Sequence, residues 1–178
     1  MQKIYVCSPY KGNTKENVKN ARLYSRFITF LGLLPITSHI YSTQFLDDNI
    51  PKERQLGLNI GLELLSECQE MWVFGLDKPS IGMQGEIKFA EEHSIPIYDG
   101  FEKISELIMF KYCEQNNIPQ PSITEPILYF AGLALCEEKI REGLSIVAVF
   151  NFVEQLKQIL GVFKSGENYM EKGRGSIP

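Results

Sequence analysis

The chain has 178 residues, enough for one domain with an appendage or for one larger domain. Its 44% apolar and 22% charged residues are ordinary for a globular protein. The formal net charge of -4, with no basic patch and no aromatic–basic interleaving, argues against a nucleic-acid polymer as partner. A mononucleotide needs only a local site, and the global charge does not oppose one.

Residues 3–7 enter a strand directly, rich in β-branched and aromatic side chains. No charged segment followed by a long apolar one precedes it, so no signal peptide is expected. A loop follows at residues 8–13. Asn13 is a candidate helix cap, with Glu16 at the capping-box position. Val18, Ala21, Tyr24, Ile28 and Leu31 then recur at spacings of three and four, which predicts a helix that Gly32 ends. Residues 33–37 read as a second strand, shortened by Pro35.

Residues 38–49 show no periodicity and read as a long loop. Asn49 and Pro51 mark the next helix start. Leu56, Ile60 and Leu64 form its apolar stripe. Gly57 and Gly61, one turn apart, let this helix approach a neighbour closely at some cost in helicity. Residues 71–75 are a third strand, 82–92 a helix and 95–98 a fourth strand. Strands apolar on both faces, alternating with helices, predict a parallel sheet covered on both sides. Right-handed crossovers put the C-terminal ends of its strands on one edge, where ligands bind.

Composition shifts near residue 116, in a loop of Asn and Pro. Two apolar helical stretches are expected at 125–141 and 144–162, with a glycine-rich polar tail after them. Their apolar surface exceeds what a lone hairpin can hide, so it packs on the α/β domain or on another chain, and it fits a homodimer or larger assembly. The run at 144–153 is too short to span a bilayer, and no membrane partner is expected. The cysteines Cys7, Cys68, Cys113 and Cys136 lack metal-ligand spacing. They read as buried reduced thiols, which fits a cytoplasmic protein without a metal or organic cofactor.

The segment with most chemistry is Ser80-Ile81-Gly82-Met83-Gln84-Gly85-Glu86. It links the third strand to a helix through glycines. Such a turn gathers backbone N–H groups and the positive end of a helix dipole at one point. Glu86 is expected on the first helical turn, beside that anion site. From spacing alone a solvated first-turn acid is an equally natural reading. Tyr5 reads either as a core aromatic or as a partner of the acid. Ser80 reads as a phosphate donor or an ordinary turn serine. Ser8 and Gly12 bind phosphate or only shape a turn. His39 falls at the ligand edge of the second strand and reads as a packed or solvated histidine or as a site residue, and Arg54 reaches either a phosphate or Asp47 or Asp48. His93 is expected to complement its helix C-terminus, and Trp72 to be core.

Several segments together carry a resemblance: residues 5–13, Tyr-Val-Cys-Ser-Pro-Tyr-Lys-Gly-Asn; 35–39, Pro-Ile-Thr-Ser-His; 44–49, Gln-Phe-Leu-Asp-Asp-Asn; 53–58, Glu-Arg-Gln-Leu-Gly-Leu; 68–75, Cys-Gln-Glu-Met-Trp-Val-Phe-Gly; and the 80–86 loop. In this order they resemble the nucleoside 2-deoxyribosyltransferase and deoxynucleotide N-hydrolase superfamily, and within it a small bacterial and phage branch. The resemblance implies a flavodoxin-like α/β domain over residues 1–116, with residues 117–178 as a helical extension outside it. It implies Glu86 as the nucleophile on C1′ of the sugar and Tyr5 as its positioner. Ser80 stands where nucleotide-hydrolysing members carry a phosphate-binding serine and nucleoside transferases an aspartate. Gln69 falls where the family's base-contacting aspartate is expected. Ser8, Tyr10, Gly12, His39, Asp48, Arg54, Gly82 and Met83 complete the substrate-binding set. The expected activity is N-glycosidic cleavage or base exchange on a 2′-deoxynucleotide 5′-monophosphate. The alternative is a nucleotide sensor or sequestering protein that uses the same pocket without turnover. A third reading makes the apolar helices the working part.

Overall fold

The computed structural model describes residues 1–115 and Glu142. Two short apolar runs make the centre of a sheet: β1 (Lys3–Cys7) and β3 (Glu70–Val73). Ile4, Tyr5, Val6, Cys7, Met71 and Val73 are all fully buried, so both faces of these strands are covered. Each buried Ile or Val contributes about 1.5–3 kcal/mol relative to exposure. β2 (Leu34–Ile36) pairs with the outer side of β1, and β4 (Ile97–Asp99) with the outer side of β3. All pairings are parallel, in the order β2-β1-β3-β4. This is the flavodoxin-like order expected for a doubly wound α/β domain.

Helices cover both faces. α1 (Thr14–Phe30) and α5 (Gly100–Gln115) meet one face, where Tyr24 stacks on Phe74 at 3.9 Å and Phe101 packs edge-on against both rings. α3 (Pro51–Ser66) and α4 (Ile81–Glu92) cover the other, with Leu65, Met83 and Ala90 in one core cluster with Tyr5, Cys7, Met71 and Val73. Period-2 alternation along β1 therefore sends Tyr5 and Cys7 toward α3 and α4. Residues Met1–Ile108 form one compact unit.

α1 ends at Gly32 as expected: Leu33 N–H reaches Ile28 O and Gly32 N–H reaches Thr29 O, a Schellman closure. Its start differs, because Asn13 makes no side-chain cap bond. Trp72 is 1% exposed, in the core. His93 caps α4, its Nδ1–H donating to Phe89 O at 2.8 Å.

Two expectations on local structure are corrected, and one helix is found where none was expected. The stretch 38–49 is not all loop: Ser38–Ser42 forms a short helix, α2. Its buried face is Ser38 and Ser42, one turn apart, so no apolar period betrays it. The buried face of α3 is Gly61 and Leu65, while Leu56 is exposed. Gly61 and Leu65 bring α3 against the domain, with Leu64 of the expected stripe packed beside the core and Leu56 outside it. Residues 100–115 are helical, begun by Asp99 Oδ1, which accepts from Phe101 and Glu102 N–H. The helical stretches expected after residue 117, and Cys136, lie outside the described residues. Cys7 and Cys68 are free and buried. Among the described residues no helix is long and apolar enough to cross a membrane.

Candidate active site

The order β2-β1-β3-β4 makes the chain leave β1 and β3 in opposite directions along the sheet. Such a switch point opens a crevice outside the C-terminal ends of the two strands. A cavity of about 500 Å³ lies there. The turn after β1 supplies Ser8, Tyr10 and Lys11, α2 supplies Ser38 and His39, α3 supplies Glu53, Arg54 and Leu58, and the start of α4 supplies Ser80, Gly82, Met83 and Glu86.

α4 opens at Ser80, whose Oγ accepts from Met83 N–H at 3.4 Å. Its hydroxyl still carries a proton to donate. Ile81 and Gly82 N–H lie in the first turn, where no intrahelical acceptor exists. The helix starts at Ile81, one residue earlier than expected. Glu86 therefore stands on the second turn rather than the first, which carries no acid. The dipole is weaker there, and a side-chain donor takes its place.

The donor observed is Tyr5. The Tyr5 hydroxyl donates to Glu86 Oε1 at 2.6 Å from beneath the cavity floor. Ser38 Oγ lies 2.7 Å from the Tyr5 oxygen. With the phenol proton given to Glu86, Ser38 is the donor in that pair. Cys7, two residues along, lies in the same core cluster as Tyr5, and its thiol acts on the titration of the same carboxylate. Burial pushes the Glu86 carboxyl above its ordinary range, and the Tyr5 bond and the Cys7 thiol pull it back. Burial, then the charge of Glu86, holds the Tyr5 phenol and the Cys7 thiol protonated well above their usual values. The reading of Glu86 as a solvated helix acid does not survive this geometry.

Gly61 of α3 closes the cluster. A Cβ there would stand 3.2 Å from the Tyr5 hydroxyl, 3.3 Å from Ser38 Oγ and 3.5 Å from Glu86 Oε1. The small-residue spacing of α3 thus serves close approach, as expected, and its neighbour is the acidic cluster.

His39 Nε2 lies 3.4 Å from Ser8 Oγ, with the Tyr10 ring 5.9 Å away. Burial lowers its pKa to about 4, so the imidazole is neutral near pH 7. Asp48 receives both Arg54 Nη1, at 2.7 Å and 2.8 Å, and Lys11 Nζ at 3.3 Å. Of the two readings of Arg54, pairing with Asp48 is the one observed.

Nine of the expected residues line the cavity together: Ser8, Tyr10, His39, Asp48, Arg54, Ser80, Gly82, Met83 and Glu86. Tyr5 lies directly beneath them. Two are placed elsewhere. Gly12 sits in an exposed turn at φ 96°, a backbone shape that glycine permits, and lines an outer polar groove. Gln69 precedes β3, at the opposite end of the sheet. Its Oε1 accepts from Lys3 N–H at 2.6 Å, so it cannot face a base in the cavity. In a parallel sheet a residue at the start of a strand lies a full strand length from the ligand edge.

Ser38, Cys7 and Gly61 are the residues of the cluster to which sequence reasoning gave no site role. Cys7 had a usable signal, since Tyr5 and Cys7 share a strand face. Among the described residues no group of three or more His, Cys, Asp or Glu is placed to hold a metal ion.

Comparison with curated proteins finds no match. Among solved structures, a 2-deoxyribosyltransferase from the psychrotolerant bacterium Bacillus psychrosaccharolyticus is similar at 16% identity and a TM-score of 0.43, over 53% of this chain and 69% of that one. A family model described as a domain of unknown function, DUF7768, matches residues 2–99, more than half of the chain, and the protein belongs to that family.

Proposed function

We propose that the protein cleaves or exchanges the N-glycosidic bond of a 2′-deoxynucleotide 5′-monophosphate, with Glu86 as nucleophile. The observation that carries this is the 2.6 Å bond from a buried phenol to a carboxylate on a cavity wall. Cleaving an N-glycoside develops positive charge at C1′. A carboxylate stabilises that charge and bonds to the carbon, so that water or a second base completes the reaction. The nucleophile must be ionised, and the Tyr5 bond favours that form against the burial that opposes it. The cavity falls in the range of about 300–1,000 Å³ usual for small ligands. Ser80 with the N–H groups of Ile81 and Gly82 offers a place for the 5′-phosphate, and Ser8 lies on the same edge. The catalytic unit is read as residues 1–116, and the full chain as a homodimer or larger assembly, which light scattering checks.

The test is incubation of the full chain with each common deoxynucleoside monophosphate. Free base is expected from at least one of them by chromatography. Gly61→Ala is expected to lower that release at least about tenfold, because displaced reacting groups are costly to rate. Its melting temperature should change little, since alanine gains about 1 kcal/mol of helix propensity over glycine.

A second reading keeps the pocket as a nucleotide-binding module without turnover. The position of Gln69, far from any bound base, favours it. Calorimetry that registers nucleotide binding with no base released from any substrate would select it.

A further inference from the structure

Among the described residues the cavity holds a candidate nucleophile but no disengaged acid for the departing base. Among the described residues its other carboxylates are Asp48 and Glu53. Asp48 is clasped by Arg54 and Lys11, which also occupies that ammonium. Glu53 Oε2 accepts from Asp47 N–H at 2.6 Å. Both are already engaged as charge-paired or hydrogen-bonded acceptors. His39 is half-buried, with its pKa lowered to about 4, and carries no extra proton near pH 7. The hydroxyls on the wall, Tyr10 included, donate hydrogen bonds but are weak acids. The formal charges on the wall are Glu86, Asp48 and Glu53 against Lys11 and Arg54, an excess of one negative charge.

A neutral purine or pyrimidine leaves poorly unless it is protonated. A base already carrying positive charge on its ring leaves as a neutral molecule and needs no proton. We infer that the site is built for nucleotides whose base is a cationic nitrogen heterocycle, such as an N-alkylated purine or a pyridinium. This rests on the glycosidase reading above and names its substrate class. In the step, Glu86 Oε bonds to C1′ as the C1′–N⁺ bond breaks. The electron pair of that bond passes to the ring nitrogen and neutralises it. Water then attacks the glycosyl ester and returns the Glu86 carboxylate with one proton released. No oxidant or second acid enters. The excess negative charge of the wall favours the cationic ground state in the cavity.

The full chain is incubated with 7-methyl-2′-deoxyguanosine 5′-monophosphate, with 2′-deoxyguanosine 5′-monophosphate, and with the 2′-deoxy form of a nicotinamide mononucleotide. Absence of general acid catalysis costs a neutral base about 10²–10⁴-fold. Cationic probes are therefore expected to be cleaved at least about 100-fold faster in kcat than the unmethylated nucleotide. Glu86→Gln should end release from every probe, which separates enzymatic turnover from spontaneous loss of a labile base. Equal rates for methylated and unmethylated substrates would overturn the inference and leave the glycosidase reading standing. Release from the neutral nucleotide alone would do the same. Release from none of the three, with none from the other deoxynucleotides, would overturn both.

Discussion

Glu86→Gln is expected to abolish base release, by at least about 1,000-fold in kcat, while raising the melting temperature at neutral pH. The loss follows from removing the atom that bonds to C1′. The gain in stability follows from burial. The carboxyl is raised because ionising it inside the fold is harder than in the unfolded chain. Such a group favours the fold below its ordinary pKa, and that stability is lost as pH rises through the folded value. Glutamine has no proton to lose. The variant should therefore gain on the parent as pH climbs from 4 toward 8, read by thermal melts across that range. Functional sites commonly hold groups that weaken the fold, and this is the pattern sought. A variant equally destabilised at both ends of the range would assign Glu86 a structural role.

Tyr5→Phe is expected to lower kcat about 10- to 100-fold with little change in KM, the range of one hydrogen bond to a charged group. The phenol touches the nucleophile and lies beneath the cavity lining, so it positions rather than binds. Its bond pulls the Glu86 carboxyl down, and losing it lets that carboxyl rise further. The acidic limb of the pH–rate profile should therefore move to higher pH. A merely structural tyrosine would leave that limb in place. Ser38 loses its partner in the same variant, so a drop in melting temperature accompanies the kinetic change without explaining the shift of the limb.

The parallel sheet was legible because the central strands are apolar on both faces, and only strands covered twice read that way. The 80–86 loop was legible because a strand, a glycine turn and a helix in succession leave few alternatives. α2 was not legible, since its buried face is two serines. α5 went unread although Phe101, Ile104 and Ile108 have helical spacing. Gln69 was misplaced because a motif position carries no information on which end of a strand faces the ligand.

By itself the amino-acid order determined the layered α/β class and the strand succession, and singled out Glu86 after the 80–86 glycine turn. These depend on local period and on neighbours in the chain. The tertiary structure alone decided that the phenol and the acid, 81 positions apart, meet at 2.6 Å, that Ser38, Cys7 and Gly61 close around them, and that Asp48 is held by Arg54 and Lys11. Those contacts join four separate elements and two loops. Where side chains from different elements meet is set by how helices pack on the sheet, which no local pattern encodes.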